Sequence, residues 1–172
     1  GVINPVEEIG AFLKEKGIPF HVDGVQAAGK IPVDVKKIQC DLYSISAHKF
    51  HGPKGVGALY VRKGTRMRPM IYGGHQEKGR RPGTENVAAI VGFAKAAQLA
   101  ATRDFEAEDA RLRQLTERLW EILGQLPGVR RNGDPVRRLG NTLNVSFDGI
   151  DGEELLMNLD LEGICVSSGS AC

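Results

Sequence analysis

Lys49 closes the string Ser46-Ala47-His48-Lys49, directly after the apolar stretch Asp41 to Ser46. A lysine in such a place is a candidate amine nucleophile, able to form a Schiff base with a carbonyl cofactor. A cofactor of the pyridoxal 5'-phosphate (PLP) kind needs an acid beside its ring nitrogen as well. That acid keeps the nitrogen protonated, so that the ring can act as an electron sink. Asp23 ends an earlier apolar stretch, Ile18-Pro19-Phe20-His21-Val22-Asp23, and is a candidate for the carboxylate. Gln26 follows it by three residues, where a turn would let its amide reach the ring hydroxyl. Each feature also has an ordinary explanation. A lone lysine after a strand is usually solvated, and an aspartate at a strand end is usually a turn former.

The remaining reactive side chains divide by setting. His48 is the titratable group best suited to handle a substrate proton, since histidine titrates near neutrality. His51 and His75 read as loop residues without a chemical role, and His21, on an apolar stretch, as a satisfied core histidine. Cys172 follows Ser167-Ser168-Gly169-Ser170-Ala171, a run of small residues that gives a thiol an exposed, flexible mount. Taken alone it reads as an ordinary terminal thiol. Cys165 is expected to be buried in a short strand, and Cys40 to act as a small hydrophobe. No Cys-x-x-Cys spacing supports a metal site. Lys78, Arg80 and Arg81 read as a solvated cluster, although their glycine-rich loop, with Thr84 adjacent, suits an approach to a phosphate. Gly52-Pro53-Lys54-Gly55 is not a phosphate-binding P-loop, because no Lys-Ser or Lys-Thr pair follows it.

Positioning these groups requires alternating helices and strands. Asn4-Pro5 reads as a helix start, with Val6, Ile9, Phe12 and Leu13 at helical spacing and Gly17 beyond the C-terminal cap. Strands are expected at 18–23, 41–46 and 56–62, giving an α/β domain with a mostly buried sheet. An alanine-rich helix follows over 87–100. Next comes an amphipathic helix carrying Leu112, Leu115, Leu119, Ile122 and Leu126. Residues 141–147 read as a strand, Asp151 and Glu154 as a capping-box helix start, and 163–166 as a last short strand. The domain boundary is expected near residue 101, giving domains 1–101 and 102–172.

The chain has 172 residues, 41% hydrophobic and 26% charged, with a formal charge of +2. This near balance lacks the basic footprint of a nucleic-acid binder. No apolar run reaches the length of a membrane span, and no signal segment stands at the start. Three cysteines form no disulfide framework, which favours a reducing cytoplasm. The sequence starts without Met and stops on Cys172, so it reads as part of a longer chain.

Several motifs, in order, resemble the cysteine desulfurases of the NifS/IscS type. These are His21-Val22-Asp23-Gly24-Val25-Gln26, Ser44 to Lys49, Gly52 to Tyr60, His75, Arg81-Pro82-Gly83-Thr84, Asn141-Thr142-Leu143-Asn144 and Ser167 to Cys172. The resemblance implies a PLP-dependent transferase of fold type I, with a large, mostly parallel sheet domain and a smaller α/β domain, in a homodimer. It implies that Lys49 carries PLP, that Asp23 meets the ring nitrogen and that Gln26 lies near the ring oxygen. Ser46 and His48 would stand at the phosphate and the site wall. Thr84 would reach the neighbouring subunit's phosphate, and Cys172 would accept sulfur from L-cysteine. The persulfide would pass to a sulfur-acceptor protein such as an iron-sulfur cluster scaffold. Alternatives are a selenocysteine lyase, a cysteine sulfinate desulfinase, or a non-catalytic fragment of the same fold. The phosphate-binding turn, the ring-stacking aromatic residue and the carboxylate-binding arginine of this family have no counterpart here. The segment alone is therefore expected to bind PLP weakly.

Overall fold

A computed structural model describes residues 1–169. Contacts divide the chain into two units, Ile3–Asp109 and Gly1–Val2 with Ala110–Cys172. In the first unit the order is α1 (Val6–Glu15), β1 (His21–Asp23), α2 (Val35–Ile38), β2 (Leu42–Ser46), a 3-10 turn (Ala47–Phe50), β3 (Gly57–Val61), α3 (Gln76–Gly79) and α4 (Val87–Ala101). Then come α5 (Phe105–Leu123), β4 (Val129–Arg131), β5 (Val145–Phe147) and α6 (Gly152–Leu161). The boundary expected near residue 101 lies at the end of α4, while the contact division falls within α5.

The first unit is built on the sheet β1-β2-β3. β1 runs parallel to β2, with Asp23 beside Ser44, and β3 returns antiparallel, with Gly57 beside Ser46. A parallel pair needs a crossover, and α2 lies within it. Asp34 caps α2 by accepting from the backbone N–H groups of Lys36 and Lys37, at 2.8 and 3.4 Å. Under this crossover Val22, Ile38, Cys40 and Tyr43 form one buried cluster. Ala47, Phe50, Phe93, Ala96 and Ala100 form a second, which seats α4 against the 3-10 turn. The Phe50 and Phe93 rings pack with their centroids 5.6 Å apart.

Several elements depart from the sequence reading, each for a local reason. At the first helix Pro5, not Asn4, holds the cap position, and no side chain caps it. β1 is an edge strand of only three residues in which Val22 alone is buried, so His21 is exposed rather than in the core. Its Nε2 pairs with Ser44 Oγ at 2.7 Å. β3 is largely exposed, so the sheet is not mostly buried. No strand forms at 163–166. There Gly163 takes a φ of +77° and the Ile164 N–H donates back to Leu159 O at 2.8 Å. The helix end thus consumes the donor that a ladder would need. As a result Cys165 is exposed, not buried. Cys40 is fully buried, and that burial pushes its thiol pKa up.

In the second unit β4 and β5 pair antiparallel. Arg138, one of its few buried residues, donates to Leu139 O, Thr142 O, Thr116 Oγ1 and Glu117 Oε1. Arg131 reaches the same carboxylate and lies over the Trp120 ring.

Candidate functional site

Parallel strands direct their carboxyl ends to one edge of the sheet, and open α/β sheets bind ligands there. β1 and β2 bring the Asp23 segment and the Ser46–Lys49 segment to that same edge. The two are stitched by Gly24 N–H donating to Ser44 O at 3.0 Å. The Asp23 carboxylate turns the chain, its Oδ1 accepting from Val25 N–H at 3.0 Å. Gly24 is required at this corner. A Cβ there would lie 1.9 Å from Cζ of Tyr43.

The chain then coils through residues 25–31. Ala27 and Ala28 donate to Gly24 O, and Lys30 and Ile31 to Ala27 O, which places Gln26 and Lys30 one helical turn apart. Lys30 Nζ donates to Gln26 Oε1 at 2.6 Å. Gly29, at φ +75°, rests so closely on Phe50 that a Cβ would come within 2.5 Å of the Phe50 Cβ. Phe50 is the chain neighbour of Lys49, so this coil packs directly against the turn that carries the lysine. The sequence reading does not single out Lys30. Its spacing of four from Gln26 would have pointed to it, had residues 25–31 been read as helical.

After β2, Ser46 stays extended and the chain tightens into the 3-10 turn. Ala47 N–H donates to Val56 O and Gly52 N–H to Ala47 O, which closes the turn, while His51 takes a left-handed conformation at its end. Within it Ser46 Oγ and His48 Nδ1 share a hydrogen bond of 2.9 Å. Lys49 is half-buried and His48 exposed. Lys30 stands near enough to Lys49 for their charges to interact. Burial, followed by that repulsion, holds the Lys30 amine below the usual lysine range.

Asp23, Gln26, Ser46, His48 and Lys49 therefore lie on the two segments that leave the parallel strands at one sheet edge. Thr84 lies apart in sequence, on an exposed loop, two residues ahead of Asn86, the N-cap of α4. In that loop Gly83 N–H donates to Gln76 Oε1 at 3.2 Å. Cys172 lies outside the described residues. Among the described residues no cluster of His, Cys, Asp or Glu could hold a metal ion. Among them, too, no helix is long and apolar enough to cross a membrane. The donor set fits PLP by its chemistry: an amine for the aldehyde, a carboxylate for a protonated ring nitrogen, an amide for a phenolic oxygen, and a hydroxyl and imidazole for the remaining polar edge.

The fold and this lysine-carboxylate edge define an α/β protein of the kind that binds PLP at its strand ends. The NifS-like protein of Rickettsia africae has the same fold, with a TM-score of 0.92 and 39% identity over 99% of this chain and 47% of that one. The description of the aminotransferase class-V family matches residues 1–172, and the chain belongs to that family. A cysteine desulfurase of Trichormus azollae is 52% identical over all of this chain and 43% of its own length. The cysteine desulfurase IscS of Methanosarcina thermophila is 51% identical, again over all of this chain and over 42% of its own. The chain thus spans less than half the length of these relatives.

Proposed function

We propose that this chain forms the cofactor-attaching and sulfur-accepting portion of a PLP-dependent cysteine desulfurase, which converts L-cysteine to L-alanine and leaves sulfur on Cys172 as a persulfide. The observation that carries the reading is the parallel pairing of β1 with β2, which delivers Asp23 and the Lys49 turn to one sheet edge. Residues 1–101 belong in this reading to the large PLP-binding domain and 102–172 to the small domain, in a cytoplasmic homodimer. The names of the relatives support it, all of those cited being cysteine desulfurases or NifS-like.

PLP, when bound, supplies the electron sink that makes the substrate Cα proton acidic. Lys49 would hold the cofactor through Nζ, and its amine would serve as the base for that proton. Asp23 would keep the ring nitrogen protonated, while Gln26 would donate to the ring oxygen. Ser46 holds phosphate, and Thr84 does so across the dimer. With Nδ1 of His48 engaged by Ser46, proton exchange with the substrate thiol runs through Nε2. The Cys172 thiolate attacks the substrate sulfur. As the new S–S bond forms, the substrate Cβ–S bond breaks, its electron pair staying with the carbon skeleton that leaves as alanine. A sulfur-acceptor protein, such as an iron-sulfur cluster scaffold, then takes the outer sulfur.

The test is mass spectrometry of the full-length protein after incubation with PLP and L-cysteine. One extra sulfur on Cys172, absent from C172S, is the expected outcome, together with alanine released in equal amount. Borohydride should fix PLP on Lys49 and on no other lysine. Adducts elsewhere, or sulfur on Cys165 instead, would overturn the assignment.

A further inference from the structure

We infer that Lys30 is a positioning residue for the PLP site, fixing the Gln26 amide so that it serves the cofactor as a hydrogen-bond donor. The inference rests on the proposed function for the cofactor's identity, but the pairing of the two residues stands on its own geometry. An ammonium group carries only donors. The Gln26 atom that Lys30 Nζ meets at 2.6 Å must therefore be the carbonyl oxygen Oε1. With Oε1 so held, the amide cannot flip, and Nε2, which only donates, is turned away from Lys30. Gln26 thereby becomes a donor with one orientation, as a phenolic oxygen on a cofactor requires.

The surroundings keep the pair in place. Backbone bonds from Lys30 and Ile31 to Ala27 O hold residues 26 and 30 one helical turn apart, and Gly29 packs on Phe50 beside Lys49. The half-buried setting strengthens a charge-assisted bond beyond its value in water. It also weakens the hold of Lys30 on its proton, an effect to which the neighbouring Lys49 charge adds. A lysine whose ammonium faced only solvent would show neither the short bond nor this burial. A surface role in solubility does not account for Lys30.

The experiment compares K30M, K30R, Q26A and the double variant K30M/Q26A in the full-length protein, with two readouts. The first is the midpoint pH at which the visible absorbance band of the PLP-loaded protein changes. A donor to the ring oxygen favours its ionised form, so losing the donor moves this midpoint upward. K30M and Q26A should each raise it by about half a pH unit, the size expected for loss of part of a charge-assisted bond. The double variant should move it no further than either alone, and K30R, which keeps a donor, should stay near wild type. A midpoint in K30M equal to wild type, or shifts that add in the double variant, would overturn the inference. The second readout uses protein without PLP, namely the rate of Lys30 acetylation by acetic anhydride at fixed pH. Loss of the acceptor in Q26A should raise this rate about threefold, since the amine then holds its proton less firmly. An unchanged rate would refute the pairing. Failure of wild-type protein to form any borohydride-fixed adduct on Lys49 would strike the proposed function instead, and the acetylation comparison would still decide whether Lys30 and Gln26 act as a unit.

Discussion

Glu117 shows what a single side chain contributes when two guanidinium groups share it. Arg131 and Arg138 both donate to its carboxylate, and those hydrogen bonds, the one from Arg131 foremost, bring its pKa from 4.5 to about 2. A carboxylate held lower in the folded chain stabilises it above the unfolded value, and that contribution is lost as pH falls through the folded one. The second unit should therefore lose stability between about pH 4.5 and pH 2. E117Q should be less stable than wild type at neutral pH and show a flatter acid limb, which thermal melts across pH 2–6 would reveal. Equal pH slopes in the two proteins would contradict this. The carboxylate is 43% exposed, so solvent screens the effect and only its direction and pH window are predicted. Residue types alone pointed to Lys49, Asp23 and His48, because their chemistry is local and their neighbours in sequence are distinctive. They did not reveal Glu117, Arg131 and Arg138, whose partnership depends on α5 meeting the end of β4 and the segment between β4 and β5.

At the scale of elements, the coil from Gly24 to Ile31 links the carboxylate end of the site to the lysine end. At Gly29 the φ is +75° and Phe50 stands in the way of any Cβ. G29A would combine left-handed backbone strain with overpacking, each costing about 1–3 kcal/mol. The full-length protein should melt several degrees lower. PLP should also bind less tightly, because the 3-10 turn carrying Lys49 is displaced along with Phe50. G64A makes a suitable control. Gly64 has a φ of +92° but nothing within 4 Å of an added Cβ, so it carries the strain without the clash. A drop no larger in G29A than in G64A would show that contact with Phe50 is unimportant. Much of this framework was legible beforehand. The helix over 87–100 announced itself by its alanine-rich run, the helix around Leu112 by periodicity, and the core strand by its apolar run before Lys49. Short elements were less so. The run at 163–166 looks like a strand, but an apolar stretch that short cannot reveal that its first amide will be used to close α6. His21 sits in an apolar stretch, as a core residue would, yet the edge position of β1, a fact of topology, leaves it exposed.

Among the described residues, large apolar side chains are left exposed in both units. In the first unit Met70, Ile71 and Tyr72 are 96%, 70% and 79% exposed, and they are consecutive. In the second, the stripe of α5 that the sequence marks as an inward face remains open at Leu115, Leu119 and Ile122. Isolated exposed apolar residues are ordinary, but contiguous ones mark surfaces that something covers. The chain spans 43% of the length of a relative such as the Trichormus azollae enzyme, so more polypeptide is available in such proteins to cover them. A polypeptide limited to residues 1–172 should then bind a hydrophobic dye such as anilinonaphthalene sulfonate strongly and self-associate as its concentration rises. The full-length protein should do neither at the same molar concentration. Because the resemblance implies further cofactor-holding groups with no counterpart in these residues, the short polypeptide is expected to take up PLP weakly, as read by borohydride fixation on Lys49. Dye binding and PLP uptake separate two causes of poor function. A short polypeptide that ignores the dye yet fails to hold PLP would lack ligands for the cofactor while folding soundly. One that both binds dye strongly and fails to hold PLP would have uncovered apolar surface as a second cause. The consecutive exposure of Met70, Ile71 and Tyr72 makes strong dye binding the expected result for the short polypeptide.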